Sequence, residues 1–298
     1  MAGVIALGEC MVELSLTGPA SAAVGYAGDT FNTAVYLSRL GLPTAYATAV
    51  GAGDPFSAGI LGLMAAEGIS RELVVEAKGR VPGLYAIQRD AAGERSFYYW
   101  RGEAPARDYL KLVDLAQLET AIRGADLVYL SAISLAVIGE AGRKVLMQML
   151  AEVGPAVAFD TNYRPRLWPG PAIGREAIEA MVPLSRYLSL STADVDAFEG
   201  GSAQAMAEAA ADDGCEVVLR EEDRTIHVYA GGEVRVFAAE PVAPAVDTTG
   251  AGDSFNAGYL AARLAGRTVE EAVTKARALA AAVVQHPGAI IPAAAMPS

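Results

Sequence analysis

A glycine-rich segment at residues 247–259 holds the residue types best suited to chemistry. It reads Asp-Thr-Thr-Gly-Ala-Gly-Asp-Ser-Phe-Asn-Ala-Gly-Tyr, so that Ala251 separates Gly250 from Gly252. Such a turn points successive backbone N–H groups into one concavity, and a helix that begins there adds the positive end of its dipole. The segment therefore predicts an anion-binding site, with the Asp253 carboxylate beside it as a general base. A phosphate site next to a base indicates a kinase.

The same segment also has a purely structural interpretation. Its glycines could simply shape a turn, with Asp253 or Ser254 capping the helix that follows, as Asp and Ser commonly do. Other nucleotide signatures do not decide the question, since the chain has no Gly-Lys dipeptide and no third glycine after either Gly-Ala-Gly stretch. Because a helix N-terminus favours a charged carboxylate, we expect the pKa of Asp253 to lie below its usual value.

Two further polar clusters follow apolar, strand-like segments. The run 28–32, Gly-Asp-Thr-Phe-Asn, offers Asp29 and Asn32 as partners for sugar hydroxyls, and helix capping by its Asp or Thr is the alternative. The run 160–168 follows an apolar strand, so its polar residues emerge at the edge of the sheet where ligands bind. Both clusters are therefore candidate parts of one site.

Arginine, not lysine, is the cation near these clusters. Arg164 lies in the second cluster and Arg101 ends an aromatic run, and a guanidinium can bind a carboxylate through two parallel hydrogen bonds. The two residues predict a substrate that bears a carboxylate. Pairing of either arginine with a local acid is the alternative.

Composition narrows the function classes. With 298 residues, 53% of them hydrophobic, the chain can bury a large core, and its formal net charge of −12 argues against nucleic acid or an anionic membrane as partner. No apolar run is long enough to span a bilayer, and the first residues lack the basic region of an export signal. Cys10 and Cys215 match no disulfide or metal pattern, and two histidines are too few for a metal cluster, so we expect no protein metal site and a reduced, cytoplasmic protein.

Strand-like and helical segments alternate along most of the chain, which predicts a doubly wound, mostly parallel sheet flanked by helices in a single domain spanning 1–298. The predicted strands are Val4–Gly8, Thr44–Val50, Leu127–Leu130, Ala156–Asp160, Tyr187–Leu190 and Glu216–Leu219, and the first predicted helices are Thr30–Leu40 and Pro55–Glu67.

Residues 10–26 and 81–101 break this alternation with β-type patterning and no long helix between, and Asp90–Gly93 predicts a turn within the second segment. They predict a small β-sheet lid. The aromatic run 97–100 is bulky for an exposed strand, so we expect one face to cover a ligand and the other to meet a second copy of the chain, giving a dimer through the lid. Ordinary core packing is the alternative.

With these residues in place, the chain resembles the ribokinase-like, PfkB-type family of sugar kinases nearly end to end. The segment 247–260 is specific to that family, and Tyr-Tyr-Trp-Arg at 98–101 with Asn-Tyr-Arg-Pro-Arg-Leu-Trp at 162–168 indicates the subgroup that acts on keto-acid sugars. Further matching stretches are Gly-Glu-Cys-Met-Val-Glu-Leu at 8–14, Gly-Asp-Thr-Phe-Asn at 28–32, Pro-Gly-Leu-Tyr at 82–85, Gly-Glu-Arg-Ser-Phe at 93–97, Phe-Asp-Thr at 159–161 and Gly-Ala-Ile-Ile-Pro at 288–292.

The resemblance implies transfer of the γ-phosphate of ATP, with Mg²⁺, to the terminal hydroxyl of 2-keto-3-deoxygluconate. Asp253 matches the catalytic base, and Gly250, Ala251 and Gly252 match the anion hole. The residues matched to the sugar are Gly28, Asp29, Asn32, Tyr85, Tyr98, Arg101, Arg164 and Asp247. Those matched to the nucleotide phosphates are Asn162, Arg164, Arg220, Gly250 and Gly252. Because Mg²⁺ keeps several waters, few protein ligands for it are expected.

The chain departs from the family in one loop. Where relatives have a basic residue followed by two glycines, it has Arg220-Glu221-Glu222-Asp223-Arg224, and three acids facing a triphosphate would repel it. We expect the loop to point away, with metal ions or weakened nucleotide binding as alternatives. Two rival functions follow: a fructokinase or ribokinase that acts on a neutral sugar, and a sugar-binding sensor that has lost its affinity for ATP.

Overall fold

The computed structural model describes residues 3–18, 20–89, 95–197, 201–241 and 243–297. The predicted Asp90–Gly93 turn lies outside these ranges. The strands are β1 Val4–Leu7, β2 Met11–Gly18, β3 Ser21–Ala27, β4 Thr44–Gly51, β5 Val74–Ala77, β6 Leu84–Arg89, β7 Arg95–Trp100, β8 Leu127–Ser131, β9 Val157–Asp160, β10 Tyr187–Ser191, β11 Glu216–Arg220, β12 Ile226–Ala230 and β13 Glu233–Phe237. The helices are α1 Asp29–Arg39, α2 Pro55–Ala66, α3 Tyr109–Leu112, α4 Leu115–Arg123, α5 Ala132–Val153, α6 Pro171–Met181, α7 Thr192–Asp196, α8 Ala203–Asp212, α9 Ala251–Leu264 and α10 Val269–Val283.

The main sheet has the strand order β13-β12-β11-β10-β9-β8-β1-β4-β5. Its strands are parallel from β11 to β5, and β12 and β13 add an antiparallel edge. From β1 the chain proceeds outward through β4 and β5, and from β8 it proceeds outward in the other direction. The doubly wound, mostly parallel α/β fold is thereby confirmed, and its topological switch point lies between β1 and β8, where such folds bind ligands.

Helices cover both faces of this sheet, which explains why its central strands are mostly apolar. Along β1, Val4 and Ala6 belong to one core cluster, and Ile5 and Leu7 belong to the other. Successive side chains of a strand point to opposite faces, so a strand buried on both sides has no polar position. The first cluster includes side chains of α1, α2, α9 and α10, and the second includes side chains of α4, α5, α6 and α8. Two helical layers therefore hold the strand ends in fixed positions.

A second sheet, called here the small sheet, has the order β3-β2-β6-β7. It is formed by the two segments that break the α/β alternation. Strand register places Tyr85 opposite Tyr99 on one face, while Tyr98 and Trp100 lie on the other face. Within the described ranges, no helix combines the length and the apolar character that crossing a membrane requires.

Candidate active site

A cleft of about 700 Å³ lies between the C-terminal ends of the main-sheet strands and the small sheet. Residues far apart in sequence line this cleft, because the loops that follow the parallel strands all lie at this edge of the sheet. Residues predicted from sequence that line it are Gly28, Asp29, Asn32, Tyr85, Arg101, Asn162, Arg164, Arg220, Gly250, Gly252 and Asp253. Ala251, Tyr98 and Asp247 are outside this lining.

The predicted anion-binding turn is the N-terminus of α9. Gly250 is its N-cap residue with φ of 77°, and a Cβ there would lie 2.7 Å from the carbonyl oxygen of Ala289. Glycine is required by both conditions. The Ala251 N–H donates to Thr248 O at 3.3 Å, whereas the N–H groups of Gly252 and Asp253 belong to the first turn, which has no intrahelical acceptors. Backbone donors therefore face the cleft at the positive end of a helix dipole.

The capping interpretation of this segment is wrong. The N-cap of α9 makes no side-chain cap hydrogen bond, and Ser254 Oγ donates instead to Ala251 O at 3.0 Å. Helix α1 likewise begins at Gly28 without a side-chain cap, while Thr30 Oγ1 lies 2.9 Å from Tyr46 Oη. The acidic residues at both helix starts are thus available for other contacts.

The Asp253 carboxylate accepts a hydrogen bond from Asn32 Nδ2 at 2.7 Å. Burial raises the pKa of Asp253 well above its usual value, and the negative charge of Asp29 raises it further, while the Asn32 hydrogen bond opposes both. The expectation of a lowered pKa is therefore wrong, because loss of hydration outweighs the helix dipole at this position. A carboxylate with a raised pKa is a stronger base.

Asp29 organises the switch point between β1 and β8. Its Oδ2 accepts hydrogen bonds from Ser131 Oγ, at the end of β8, and from Asn162 Nδ2 at 3.0 Å. Asn162 has φ of 20°, a left-handed conformation that is uncommon outside glycine. The Asp29 carboxylate therefore joins the loops that follow three strands.

The two arginines predicted to bind a carboxylate already have acidic partners. Arg101 pairs with Glu9, which is 3% exposed, and burial raises the pKa of that glutamate. Arg164 Nη1 lies 3.4 Å from an Asp194 carboxylate oxygen and also donates to Tyr163 O at 2.9 Å. Local pairing, the alternative interpretation, is thus present for both side chains, although both still line the cleft.

Asp160 and Arg220 form the floor of the cleft at the ends of β9 and β11. Asp160 Oδ2 accepts from Asn256 Nδ2 at 2.9 Å, and its Oδ1 lies 3.5 Å from Arg220 Nη2. Burial raises the pKa of Asp160 to about 6, against the opposing charge of Arg220. Arg220 also donates to Ser189 Oγ at 3.0 Å. The floor therefore holds one buried carboxylate and one guanidinium in contact.

A family model matches residues 1–296, and its description is pfkB family carbohydrate kinase. The chain belongs to the pfkB family of carbohydrate kinases. It is 39% identical over 304 residues to a 2-dehydro-3-deoxygluconokinase of Dickeya dadantii (strain 3937), covering 98% of this chain and 97% of that protein. It is 40% identical over 304 residues to the enzyme of the same name from Escherichia coli (strain K12), covering 98% of each chain.

The fold of this pfkB kinase is also found in solved structures. A PfkB protein from Polaromonas sp. JS666 superimposes with a TM-score of 0.83 at 26% identity, over 95% of this chain and 96% of that one. The family assignment makes this chain a sugar kinase, in agreement with the prediction from sequence.

The aromatic residues of the small sheet divide between its faces. Tyr98 is exposed on the outer face, where its hydroxyl donates to Gln88 Oε1 at 3.4 Å, so it does not reach the cleft. Tyr99 and Phe97 line the cleft instead, and Tyr99 stacks on Tyr85 with ring centroids 5.7 Å apart. Strand alternation therefore places Tyr99 in the cleft and Tyr98 outside it.

Asp247 holds loops together and does not line the cleft of the pfkB kinase. Its Oδ1 accepts from Thr249 N at 2.9 Å and Thr249 Oγ1 at 2.7 Å, and its Oδ2 accepts from Gly288 N at 3.1 Å. These bonds fix the turn before α9 against the segment that contacts Gly250.

The acidic loop after β11 is folded on itself. Glu221 lies 3.1 Å from His227 Nε2, and Asp223 accepts from Thr225 N at 2.7 Å. Of residues 220–224, Arg220 alone belongs to the described lining of the cleft. Glu221 and Asp223 are thus engaged within or beside the turn, and none of the three acids lines the cleft.

Sequence reasoning assigned no individual role to several residues that line the cleft. They are Glu9, Phe97, Tyr99, Asp160, Arg166 and Asp194. Period-2 alternation was a signal for Tyr99, and the position at the end of an apolar strand was a signal for Asp160. Nothing in the sequence alone distinguishes Arg166 from Arg164.

Proposed function

We propose that this kinase transfers the γ-phosphate of ATP to the terminal hydroxyl of 2-keto-3-deoxygluconate, giving 2-keto-3-deoxy-6-phosphogluconate. The observation that carries the proposal is the position of the Asp253 carboxylate in the cleft, at the first turn of α9 and beside its glycine-flanked backbone donors. The names of relatives about 40% identical over nearly the full length support this substrate.

Asp253 acts as the general base in this proposal. Phosphoryl transfer has a loose transition state, so the attacking hydroxyl keeps its proton until late and the protein mainly aligns groups and stabilises charge. The raised pKa of Asp253 suits it to accept that proton near neutral pH. The backbone N–H groups of residues 250–253, fixed before the reaction, stabilise the migrating phosphoryl group.

The residues of the cleft fit a nucleotide with its magnesium ion. Asn162, Arg164, Arg220 and the glycines of the α9 turn supply donors for phosphate oxygens. Asp160 Oδ1 is buried without a hydrogen-bond partner, so it fits a hydrated Mg²⁺ ion. A Mg²⁺ ion held there would help to neutralise the charge of the phosphate groups. The described residues contain no cluster of three or more His, Cys, Asp and Glu side chains that could hold a metal ion by themselves.

The whole chain serves as one kinase domain in this proposal, with the small sheet as its lid. Leu16, Val24, Tyr98 and Trp100 are exposed on the outer face of that sheet, and Trp100 is 62% exposed. A second copy of the chain would bury this apolar surface, giving a dimer through the lid. Both cysteines are free and buried, which suits a reducing cytoplasm.

Dimerisation is tested by light scattering on Trp100→Glu, which places a charge in the proposed interface. We expect a dimeric wild type and a monomeric variant, and Val234→Glu on the exposed edge strand β13 is the control that stays dimeric. A wild-type monomer at micromolar concentration would remove the dimer from the proposal.

A kinase acting on a neutral sugar is the second candidate, and the pairing of Arg101 and Arg164 with acids favours it. An ADP-release assay with a panel of sugars separates the two candidates. We expect 2-keto-3-deoxygluconate to give the highest kcat/KM, and a higher value for fructose or ribose would replace the proposed substrate.

A further inference from the structure

Four arginine side chains line the cleft, and three of them have an acidic partner. The pairs are Arg101 with Glu9, Arg164 with Asp194 at 3.4 Å, and Arg220 with Asp160 at 3.5 Å. A guanidinium in such a pair has its charge compensated, so an incoming carboxylate must compete with the acid already present.

Arg166 is the fourth arginine, and its charge is not compensated. It lies in the turn Pro165–Leu167 that follows β9 and is exposed to solvent. Its guanidinium carbon is 5.1 Å from the centre of the Tyr99 ring. In the part of the chain that the structure describes, no Asp or Glu lies within ion-pair distance of it. Arg166 therefore supplies the uncompensated positive charge of the cleft.

Tyr99 determines how this guanidinium can bind a ligand. The Tyr99 ring is part of an aromatic wall on the small sheet, where it stacks on Tyr85 at 5.7 Å and on Phe97 at 6.5 Å. A cation over a ring uses the face of the guanidinium, which leaves its edge N–H groups available. Those edge groups can donate two parallel hydrogen bonds to one carboxylate.

The other side chains that line the cleft include several acids, which would repel an anionic sugar unless a cation such as Arg166 offsets them. The acidic residues that line the cleft are Glu9, Asp29, Asp160, Asp194 and Asp253. We propose that Arg166 is the specificity-determining residue that binds the carboxylate of a sugar acid, held in place by Tyr99. This inference rests on the proposed function, since it names the group that distinguishes a sugar acid from a neutral sugar.

The test compares 2-keto-3-deoxygluconate with its methyl ester, which has the same skeleton without the charge. We expect Arg166→Ala to raise KM for the acid about 10- to 100-fold, as for a lost hydrogen bond between charged groups, with kcat and the KM for ATP changed less than about threefold. The KM for the ester should be the same in wild type, Arg166→Ala and Arg166→Lys. Arg166→Lys keeps the charge but not the paired hydrogen bonds, so its KM should lie between those of wild type and Arg166→Ala.

Arg123→Ala is the matched control, because Arg123 is an exposed arginine on α4 that pairs with Glu119 and does not line the cleft. It should behave as wild type. Equal losses for the acid and the ester in Arg166→Ala, or no loss for either, would overturn the assignment.

Calorimetric binding of the acid without nucleotide separates this inference from the proposed function. If wild type binds the acid but does not phosphorylate it, and Arg166→Ala binds it at least about 10-fold more weakly, the proposed function fails and the role of Arg166 stands. If Arg166→Ala binds the acid as tightly as wild type, the role of Arg166 fails whatever the turnover. A wild type that does not bind the acid overturns both.

Discussion

Replacement of Asn32 by Leu should move the acidic limb of the pH–rate profile upward. Asn32 is 4% exposed and donates to the Asp253 carboxylate at 2.7 Å, a contact that favours the charged form of the acid. Leu has the same branched shape and the same number of side-chain heavy atoms, but no donor. A hydrogen bond to a charged group contributes about 1.5–3 kcal/mol, so its loss should raise the pKa of Asp253 further and move the acidic limb measurably to higher pH.

The direction of the shift follows from the proposed role of Asp253 as the general base. Asp253 must be ionised to accept a proton, so activity falls as the pH drops through its pKa, and a higher pKa moves that loss to higher pH. The assay is kcat/KM for the sugar between about pH 5 and pH 9, since this ratio reports ionisation in the free enzyme. Thermal unfolding of each variant at the same pH values shows whether the fold is retained.

Thr33→Val is the matched control for this experiment. Thr33 is the next residue of α1 and its hydroxyl lies 3.2 Å from the backbone carbonyl oxygen of Asp253, not from the carboxylate. Its acidic limb should coincide with that of wild type. A limb that stays in place in Asn32→Leu, or that moves equally in both variants, would show that the profile does not report the ionisation of Asp253.

Two further predictions concern the first turn of α9. Asp253→Asn should lower kcat at least about 10²-fold while raising the melting temperature. The pKa of Asp253 is higher in the folded than in the unfolded state, so ionisation of this group destabilises the fold at pH values above the unfolded pKa. Calorimetric scans should therefore show a larger increase in melting temperature for the variant at pH 8 than at pH 4. Retention of a tenth of the activity would contradict the base role. Gly250→Ala should lower the free energy of unfolding in urea more than Gly266→Ala does. Both glycines have a positive φ, which costs an alanine about 1–2 kcal/mol. Only at Gly250 would the added Cβ also meet backbone atoms. Equal costs would mean that the contact with Ala289 relaxes.

The fold was predictable because the central strands of the main sheet are mostly apolar, with few polar positions inside them. The predicted strand Thr44–Val50 is observed as Thr44–Gly51, and the predicted helix Pro55–Glu67 is observed as Pro55–Ala66. In a sheet covered on both faces, burial leaves little freedom in where a strand begins and ends, and glycine, proline and polar residues mark those ends. The strand order could not be read from the sequence, because parallel pairing joins segments that are distant along the chain.

The chemistry of the site was less predictable than its location. The backbone geometry at Gly250 followed from local sequence, since only glycine fits a positive φ at that contact. The direction of the pKa shift of Asp253 did not follow, because it depends on burial in the folded protein and on Asp29, which is distant in sequence. The register of the small sheet also determines whether Tyr98 or Tyr99 faces the cleft. A shift of the register by one residue would exchange the two faces of the strand.

Arg220 makes the acidic cleft compatible with a phosphate substrate. Burial raises the pKa of both Asp160 and Asp253, and the negative charge of Asp29 raises both further. The raised pKa suits Asp253 to the proposed proton transfer, but the same carboxylates produce a field that repels anions. Arg220 opposes the raised pKa of both Asp160 and Asp253, and its Nη1 lies 3.5 Å from Gly252 O in the turn proposed to bind phosphate. One guanidinium on the floor therefore limits how basic the carboxylates become and provides positive charge where the phosphoryl group would lie. With a net charge of −12, the protein as a whole repels anions, so such local cations must supply the attraction.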